Sequence, residues 1–475
     1  MNVHFCFWRA RVPAGRFVSP TGRSGDRPST FLFLLAFFLP SLLVASGDPA
    51  PLPFPPDLTV AADGSGDFKT IQAAMESIPR DNHERRIILV RDGVYAEKIR
   101  VDAPCLTLRG ESRTGTRIEF PQGSEEFNRN EDSLGRGIVN LTATASDFVL
   151  ENLTVKNTHG VIGPHAFAVF GVADRTVILD CDIFSQGADA LSLWRGRNEN
   201  AAEVAGSAGA RDGGRYYHAR LNVCGSVDFV CPRGWCYMTD STITQVNPKA
   251  TAAIWHDGSK NRDMKFVLRH CRFDGPPDWY LARHHADAQI YLLDCTFSAT
   301  MRNRAPYRVI YPLNAGTPSE ADIKRNQELD LINLWGERFY YFNSHRTGGD
   351  YPWHADNLAT APGSPDPAHI TAAWTFAGTW DPERTTGPQI KSIVRHEGNI
   401  QVIFSEHVTV KGRPRLKLKN GKSADYLSGS GSSTLIFFSK GESPATSIDP
   451  QGGAIIATEA SATLRSAELT LPNPR

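Results

Sequence analysis

The sequence lacks an excess of either charge. Its 475 residues include 51 Lys and Arg and 51 Asp and Glu, so the formal net charge at pH 7 is zero. No global field therefore favours nucleic acid or an anionic membrane surface, and we expect neither as a partner. A local cleft on a neutral protein can still be basic, so this composition is compatible with a polyanionic substrate.

Cysteines are few, and their spacing is not that of a metal site. Of the eight, Cys6 lies in the N-terminal leader described below, which leaves seven. An odd number means that at least one is unpaired or pairs between chains. No CxxC pair or Cys/His array has zinc spacing, so we expect no metal. Cys231 and Cys236 are the nearest candidates for a disulfide; most others lie in strand-like runs, where a buried thiol is expected.

The one long apolar run is too short to span a membrane comfortably. Five arginines between positions 9 and 27 precede FLFLLAFFLPSLLVA (31–45), and small residues follow it. A basic segment, a short apolar segment and small residues at the cleavage site are typical of a secretory signal peptide. We expect residues 1–47 to be removed and the protein to be secreted or periplasmic. A proline-rich spacer (48–57) comes next.

Helical periodicity is almost confined to one segment near the N-terminus. LTVAADGSGDFKTIQAAMESIP (58–79) predicts a strand, a glycine turn and a helix over 69–78. Beyond it, short β-rich runs recur at 148–155, 176–184, 236–244, 265–273 and 290–297. A repeat of about 20–30 residues with one or two strands per unit is typical of a stacked β-solenoid. The helix would cap the open edge of its first coil.

The repeats align on a shared central position. That position holds Asn152, Cys181, Ser241, Cys271 and Cys295, and the next position facing the same way holds Thr154, Ile183, Ile243, Phe273 and Phe297. In a parallel β-helix equivalent residues stack at the strand spacing of about 4.8 Å. We therefore predict an internal ladder, in which these cysteines have a packing role.

The C-terminal region has a different composition. After TWDPERTTGP (379–388), alternating strands are joined by Asn-Gly and Gly-Ser turns. The pattern at 402–437 resembles the immunoglobulin-like modules appended to bacterial secreted proteins. We predict an all-β chain in which a right-handed parallel β-helix (58–380) is followed by a small β-sandwich (388–475).

An aspartate interrupts an otherwise buried strand in GSVDFVCPRGWC (225–236). Asp228 needs a partner there unless its face of the strand is exposed to solvent, because burial of an unpaired charge is costly. A solenoid could bring it to one outer face with Asp189 of GADALSLW (187–194) and with Arg283. The carboxylate held by the bidentate arginine fork would stay ionised and act as a nucleophile. The second carboxyl group, which has no arginine partner and a raised pKa, would serve as general acid and then as general base.

These stretches resemble the pectin methylesterase family. The family's DGSGDF.TIQ.A...IP, G.Y.E.(I/V), QDTLY, G(T/S)VDFIFG and YLGRPW motifs correspond here to 63–79, 93–99, 188–194, 225–232 and 280–285. The resemblance covers about 58–355, and its first and fourth motifs are the most specific.

The resemblance implies a fold, an activity and a set of site residues. It implies a pectin-lyase-like right-handed parallel β-helix and a monomeric carbohydrate esterase that removes methyl esters from pectin without a cofactor. By motif, Asp228 would be the nucleophile, Asp189 the general acid/base, and Arg283 the residue that holds Asp228.

The departures from the family fall on the oxyanion donors and on the sugar-stacking position. His165 and Ala188 stand where the family has two glutamines. His165 can donate through a ring N–H, and Gln186 could replace the second donor if a bulge near Gly187 redirects it. His285 stands where the family has a tryptophan. A sugar ring would then stack on Trp194, Trp235 or Trp255. The alternative for each of these tryptophans is that it packs in the protein core.

Two further stretches are candidates for the groove. The Gly/Ala-rich insertion (195–214) follows the acid/base strand, and its Arg195 and Arg197 could meet galacturonate carboxylates; a solvated loop is the alternative. The aromatic, histidine-rich stretch 335–357 lines the end of the groove or packs the C-terminal coils.

Three functions are compatible with the sequence. The esterase predicts methanol release. A non-catalytic polysaccharide-binding β-helix predicts binding alone. A Ca²⁺-dependent, pectate-lyase-like enzyme predicts an unsaturated product that absorbs in the ultraviolet. Two aspartates and an arginine retained together favour the esterase.

Overall fold

The computed structural model describes residues 54–130, 133–195, 213–257, 261–285, 287–313, 316–331, 333–396, 398–467 and 469. The predicted signal peptide and most of the spacer and of the insertion lie outside these residues. Within them, no helix combines the length and apolar character that crossing a bilayer requires.

Three parallel sheets form the body of the molecule, and the chain visits them in turn. Sheet I has ten strands, in the spatial order Leu58–Val60, Arg86–Val90, Leu106–Gly110, Val149–Glu151, Thr176–Leu179, Gly214–Ala219, Gly234–Thr239, Phe266–Arg269, Ala288–Leu293 and Glu337–Phe342. Sheet II has nine strands, which are Gly93–Tyr95, Thr116–Phe120, Thr154–Asn157, Asp182–Ser185, Asn222–Gly225, Thr242–Gln245, Arg272–Asp274, Thr296–Phe297 and His345–Arg346.

Sheet III closes each coil and has eight strands. They are Ile99–Val101, Val139–Leu141, Val169–Gly171, Leu191–Leu193, Val230–Pro232, Ala252–Trp255, Tyr280–His284 and Tyr307–Arg308. Every strand in the three sheets pairs in parallel with the strand one coil away. The predicted parallel β-helix is confirmed.

The interior ladder exists, with one correction to its register. Strand pairing aligns Asp182 with Thr154, so Cys181 stacks on Leu153 and not on Asn152. Asn152 instead occupies the preceding corner position, where its φ of 57° is left-handed. The repeat alignment was wrong by one residue at this coil because the left-handed corner residue was counted as part of the strand.

The seven described cysteines pack in the interior. All of them are buried, and no disulfide joins any two of them. The candidate pair Cys231–Cys236 is therefore wrong: Cys231 packs in the aromatic cluster of sheet III, whereas Cys236 lies in the central core. Burial raises the pKa of the Cys181 thiol to about 12, which keeps it protonated and unreactive.

The predicted N-terminal helix is present but shorter, at Ile71–Glu76, and Thr70 caps it through its side chain. Ile71, Ala74 and Met75 pack into the central core. The other α-helices of the described region are Ser124–Asn130, Glu320–Leu331 and Ala372–Thr375, and short 3-10 helices occupy Pro352–His354, Leu358–Thr360 and Pro367–His369.

The C-terminal region forms an antiparallel sheet around its own apolar cluster, consistent with the predicted β-sandwich. Its strands run in the order Ile390–His396, Asn399–Lys411, Ser432–Phe438, Ser423–Ser428, Arg415–Leu418 and Ala445–Asp449, with Ala454–Ala457 paired to Asn399–Lys411. Polar contacts join this sheet to the β-helix: Lys411 Nζ lies 2.6 Å from both carboxylate oxygens of Asp57, and the buried Arg85 donates to the Thr458 carbonyl at 2.6 Å.

Candidate active site

A groove of about 540 Å³ lies on the outer face of sheet III. Its walls combine aromatic rings with charged side chains, namely Ser124, Arg136, His165, Phe167, Phe170, Asp189, Trp194, Asp228, Arg233, Trp255, Arg283, His285, Val309, Tyr311, Leu313 and Arg325. The groove therefore brings together six of the seven site residues predicted from the sequence, and only Gln186 of that set does not line it.

The backbone of successive coils places the two aspartates at one corner. Asp189 and Asp228 lie between a strand of sheet II and the following strand of sheet III. Ala188 pairs with Val227 in the next coil, and the Asp189 N–H donates to the Val227 carbonyl at 2.9 Å. Both aspartates have left-handed φ angles, 59° and 48°, a conformation that Asp tolerates better than most residues. This turn directs both carboxylates toward the groove.

Arg283 holds the Asp228 carboxylate through a bidentate fork. Its Nε donates to Oδ1 at 2.9 Å and to Oδ2 at 3.1 Å, and its Nη2 donates to Oδ2 at 2.7 Å. The side chains are 22% and 8% exposed, so solvent weakens this pair little. Arg283 also lies 5.4 Å from the centre of the Trp255 ring. A planar guanidinium suits both contacts, whereas lysine offers neither the fork nor the stacking face.

The protonation of Asp228 reflects two opposing effects. Burial raises the pKa of its carboxyl to about 7, although the hydrogen bonds and charge of Arg283 lower it; nearby Asp189 adds to the rise. Burial also disfavours the charge on Arg283, but Asp228 outweighs this and raises the pKa of Arg283. The sequence predicted an ionised Asp228. The structure restricts that state to pH values near and above neutrality.

His165 lies beside the aspartates. Its Nε2 is 3.9 Å from Oδ2 of Asp189, and its side chain is 56% exposed whereas that of Asp189 is 5% exposed. Desolvation in the groove lowers the pKa of His165, and the Asp228 carboxylate opposes the shift. A neutral imidazole carrying a proton on one nitrogen can donate a hydrogen bond to a ligand in the groove.

Three predicted residues do not reach the groove. Gln186 is exposed and lies outside the residues that line it, so the proposed bulge does not bring it there. Arg195 is 2% exposed and donates to the Val172 carbonyl at 3.1 Å, so it is a buried structural residue. Trp235 packs under the C-terminal segment that covers sheet I. Arg197 lies outside the described residues.

The remaining aromatic candidates line the groove, but their rings are in contact with other groups. Trp194 packs edge-on against Phe167 and Phe170. His285 packs edge-on against Trp255, with ring centres 4.4 Å apart, and its Nε2 is 2.8 Å from the Tyr311 hydroxyl.

The stretch 335–357 packs the C-terminal coils and contributes no residue to the groove lining. Tyr351 donates its hydroxyl to the Met301 carbonyl at 3.1 Å, and Trp353 Nε1 donates to Asn303 at 3.1 Å. Of the two alternatives left open by the sequence, the structure favours packing.

Several lining residues were missed by the sequence reasoning. Arg136, Arg233, Tyr311 and Arg325 come from four separate parts of the chain. Only Arg233 had a signal nearby, because it directly follows the motif 225–232 that contains Asp228. Within the described residues, no group of three or more His, Cys, Asp or Glu side chains is arranged to hold a metal ion.

Sequence comparisons point to one family. Residues 57–198 match the family model Pectinesterase. The chain is 28% identical over 245 residues to "Probable pectinesterase/pectinesterase inhibitor 23" of Arabidopsis thaliana, covering 50% of this chain and 38% of that protein. It is 33% identical over 130 residues to a pectinesterase of Petunia integrifolia, covering 27% and 33%. The chain thus spans well under two thirds of the length of these relatives.

Solved structures share the fold. The pectin methylesterase from carrot gives a TM-score of 0.50 at 18% identity, covering 69% of this chain and 97% of that one. Pectin methylesterase PemA from Erwinia chrysanthemi gives 0.51 at 18% identity, covering 69% and 98%. A pectin methylesterase solved in complex with a hexasaccharide gives 0.51 at 18% identity, covering 70% and 99%. The solved structures share the parallel β-helix, and the family model and the curated relatives show that part of this chain is similar in sequence to pectinesterases.

Proposed function

We propose that the protein is a carboxylic ester hydrolase that removes methyl esters from pectin. The observation that supports this most strongly is the pair of buried aspartates at one corner of an open groove, one of them held by the fork of Arg283. A surface that only bound sugar would gain nothing from two buried carboxylates side by side, because their mutual repulsion costs free energy. The oligosaccharide in a related pectin methylesterase structure supports a polysaccharide ligand.

The first half of the proposed reaction forms a covalent intermediate. A carboxylate oxygen of Asp228 attacks the carbonyl carbon of a galacturonate methyl ester and forms a C–O bond. The carbonyl electrons move onto its oxygen and then return as the bond to the methoxy group breaks. Asp189 gives its proton to the departing oxygen, and methanol leaves. An acid anhydride then joins Asp228 to the sugar carboxyl group.

The second half restores the enzyme. Asp189, now ionised, takes a proton from water as the water oxygen attacks the anhydride. The bond to Asp228 breaks, which releases the galacturonic acid carboxyl group with the second water proton still on it and leaves Asp228 ionised and Asp189 protonated. The released acid then loses that proton to bulk water. Arg283 donates to both oxygens of Asp228, so the proton shared by the two carboxylates belongs on Asp189 in this scheme.

The oxyanion in each half-reaction needs a hydrogen-bond donor. We propose the His165 ring N–H, because this side chain lies in the groove beside Asp189. A donor aimed at the developing negative charge typically contributes about 10²–10³ in rate.

Product analysis of the chain without residues 1–47 tests the proposed activity. We expect methanol and acidification from methyl-esterified pectin, and no unsaturated product. Ultraviolet-absorbing product that disappears with a Ca²⁺ chelator would indicate a lyase instead. Binding without either product would indicate a non-catalytic module.

We also propose that the protein is secreted. The basic segment and short apolar run at 9–45 support this. N-terminal sequencing of protein recovered from the culture medium or periplasm should find a start near residue 48, and recovery only from the cytosol with Met1 intact would contradict export.

A further inference from the structure

A second buried arginine lines the groove beside the catalytic candidates. Arg233 is 9% exposed and directly follows the sheet III strand Val230–Pro232. Its N–H donates to the Leu193 carbonyl at 2.8 Å, and the sheet I strand Gly234–Thr239 begins at the next residue. The backbone of Arg233 is therefore fixed by strands on both sides, so its position in the groove is preformed.

Two tryptophans hold the Arg233 side chain. Its guanidinium carbon is 4.2 Å from the centre of the Trp194 ring and 5.8 Å from the centre of the Trp255 ring. The guanidinium carbon of Arg283 is 5.4 Å from the same Trp255 ring. Trp255 therefore links the two arginines, and Arg233 lies close to the Asp228–Arg283 pair along the groove wall.

The two arginines differ in how their charge is neutralised. Arg283 has the Asp228 carboxylate. Arg233 forms no ion pair within the described part of the chain, and its buried Nε and Nη1 atoms have no hydrogen-bond acceptor there. A buried charge without a counter-ion is costly. Stacking on Trp194 offsets part of that cost, and an anionic ligand would offset more.

The charge of the whole groove points to the same ligand. Four arginines line it (Arg136, Arg233, Arg283 and Arg325), against only two carboxylates, Asp189 and Asp228. Since Asp228 is paired with Arg283, the remainder of the wall is cationic. A polymer that carries both esters and free carboxylates fits such a wall.

We propose that Arg233 forms a second subsite that binds the free carboxylate of a de-esterified galacturonate unit in the same polymer chain that presents a methyl ester to Asp228. The inference rests on the proposed function and extends it from a reaction to a substrate preference. The family motif around Asp228 ends at Pro232, so the resemblance does not imply this role. We expect the protein to favour pectin that is already partly de-esterified.

Titration calorimetry with fully de-esterified hexagalacturonate tests the subsite without requiring turnover. Replacing Arg233 with glutamine should raise the Kd about tenfold, the effect typical of losing a charge-assisted hydrogen bond. Arg233→Lys keeps the charge but loses the fork, so its Kd should be intermediate. Salt should weaken binding to the wild type more than binding to Arg233→Gln, because ions screen the charge.

Arg346→Gln is the matched control. Arg346 also stacks on an aromatic ring, 4.6 Å from the centre of Tyr351, but it lies in sheet II and away from the groove. Its replacement should leave the Kd unchanged. Circular dichroism verifies folding of each variant, and if Arg233→Gln does not fold, Arg233→Lys decides the question by the same comparison.

Methanol release then measures the preference itself. The ratio of kcat/KM on partly esterified pectin to that on highly esterified pectin should fall several-fold in Arg233→Gln. Hexagalacturonate that binds equally to wild type and variant, or does not bind the wild type, would overturn the subsite. A wild type that binds hexagalacturonate through Arg233 but releases no methanol would contradict the proposed function and leave the carboxylate subsite standing.

Discussion

Aspartates with left-handed backbone angles occur at every corner of the β-helix, and two of the three corners are compared below. At the corner between sheets I and II, which we call the outer corner, Asp180, Asp240 and Asp294 have φ angles of 51°, 50° and 54°. At the corner between sheets II and III, the groove corner, Asp189 and Asp228 have φ angles of 59° and 48°. The same local conformation serves both corners, so the backbone alone does not mark an active site.

Burial and partners separate Asp189 and Asp228 from the outer-corner aspartates. The Asp180, Asp240 and Asp294 side chains are 40%, 52% and 22% exposed. Arg220 pairs with Asp180 at 2.7 Å, and both side chains are near the surface. In contrast, Asp189 and Asp228 are 5% and 8% exposed. Exposed carboxylates keep ordinary chemistry, whereas burial beside another carboxylate shifts the pKa and makes acid–base and nucleophilic roles possible.

We predict a large loss of kcat on substitution of Asp189 and almost none on substitution of Asp180 at the outer corner. Asp189→Asn should lower kcat by about 10³-fold, because general acid–base catalysis typically contributes 10²–10⁴-fold. Asp180→Asn should change it less than twofold, since an exposed ion pair contributes little. Asn tolerates the left-handed conformation at both sites. Initial rates of methanol release measure both, and equal losses would contradict the comparison.

Substitution of the arginine partners, Arg283 of Asp228 and Arg220 of Asp180, tests the same difference between the two corners. Arg283→Lys should lower kcat/KM on the order of 10²-fold, because lysine cannot reproduce the fork and breaking a buried pair typically costs about 3–5 kcal/mol. Arg220→Lys at the outer corner should remain within twofold of the wild type. If Arg283→Lys retains full activity, the fork has no role in the reaction.

The pH profile tests the protonation of Asp228. The nucleophile must be ionised, and burial raises its pKa to about 7. Log kcat/KM should therefore rise with a slope of about one as pH increases toward 7 and level off above it. The midpoint should move to higher pH in Arg283→Lys if the weaker partner stabilises the carboxylate less. A profile that is flat between pH 5 and 8 would contradict this assignment.

A smaller effect is expected at His165. His165→Ala should lower kcat by about tenfold, below the usual value for an oxyanion donor, because this side chain is 56% exposed and water can replace part of its contribution. His165→Gln keeps a donor and should recover activity relative to alanine. An alanine variant as active as the glutamine variant would assign the donor role to another group.

The sequence predicted the repeats, the helix on the first coil and the residues of the groove corner, since each follows from a local pattern or a motif. It missed what depends on contacts between coils. The one-residue error at Asn152 arose because a corner residue and a strand residue look alike in sequence. Gln186 was expected to reach the groove through a bulge near Gly187, and the structure leaves it exposed outside the groove. The stacking of Arg233 on Trp194 joins residues from different coils, which no local pattern could reveal.

The most direct test of the account compares Asp228→Asn with Asp240→Asn at pH 8 in methanol release from methyl-esterified pectin. Loss of the nucleophile should lower kcat by about 10⁴-fold or more, whereas the outer-corner variant should match the wild type. Comparable activity in the two variants would contradict the claim that a buried, arginine-held Asp228 performs the chemistry.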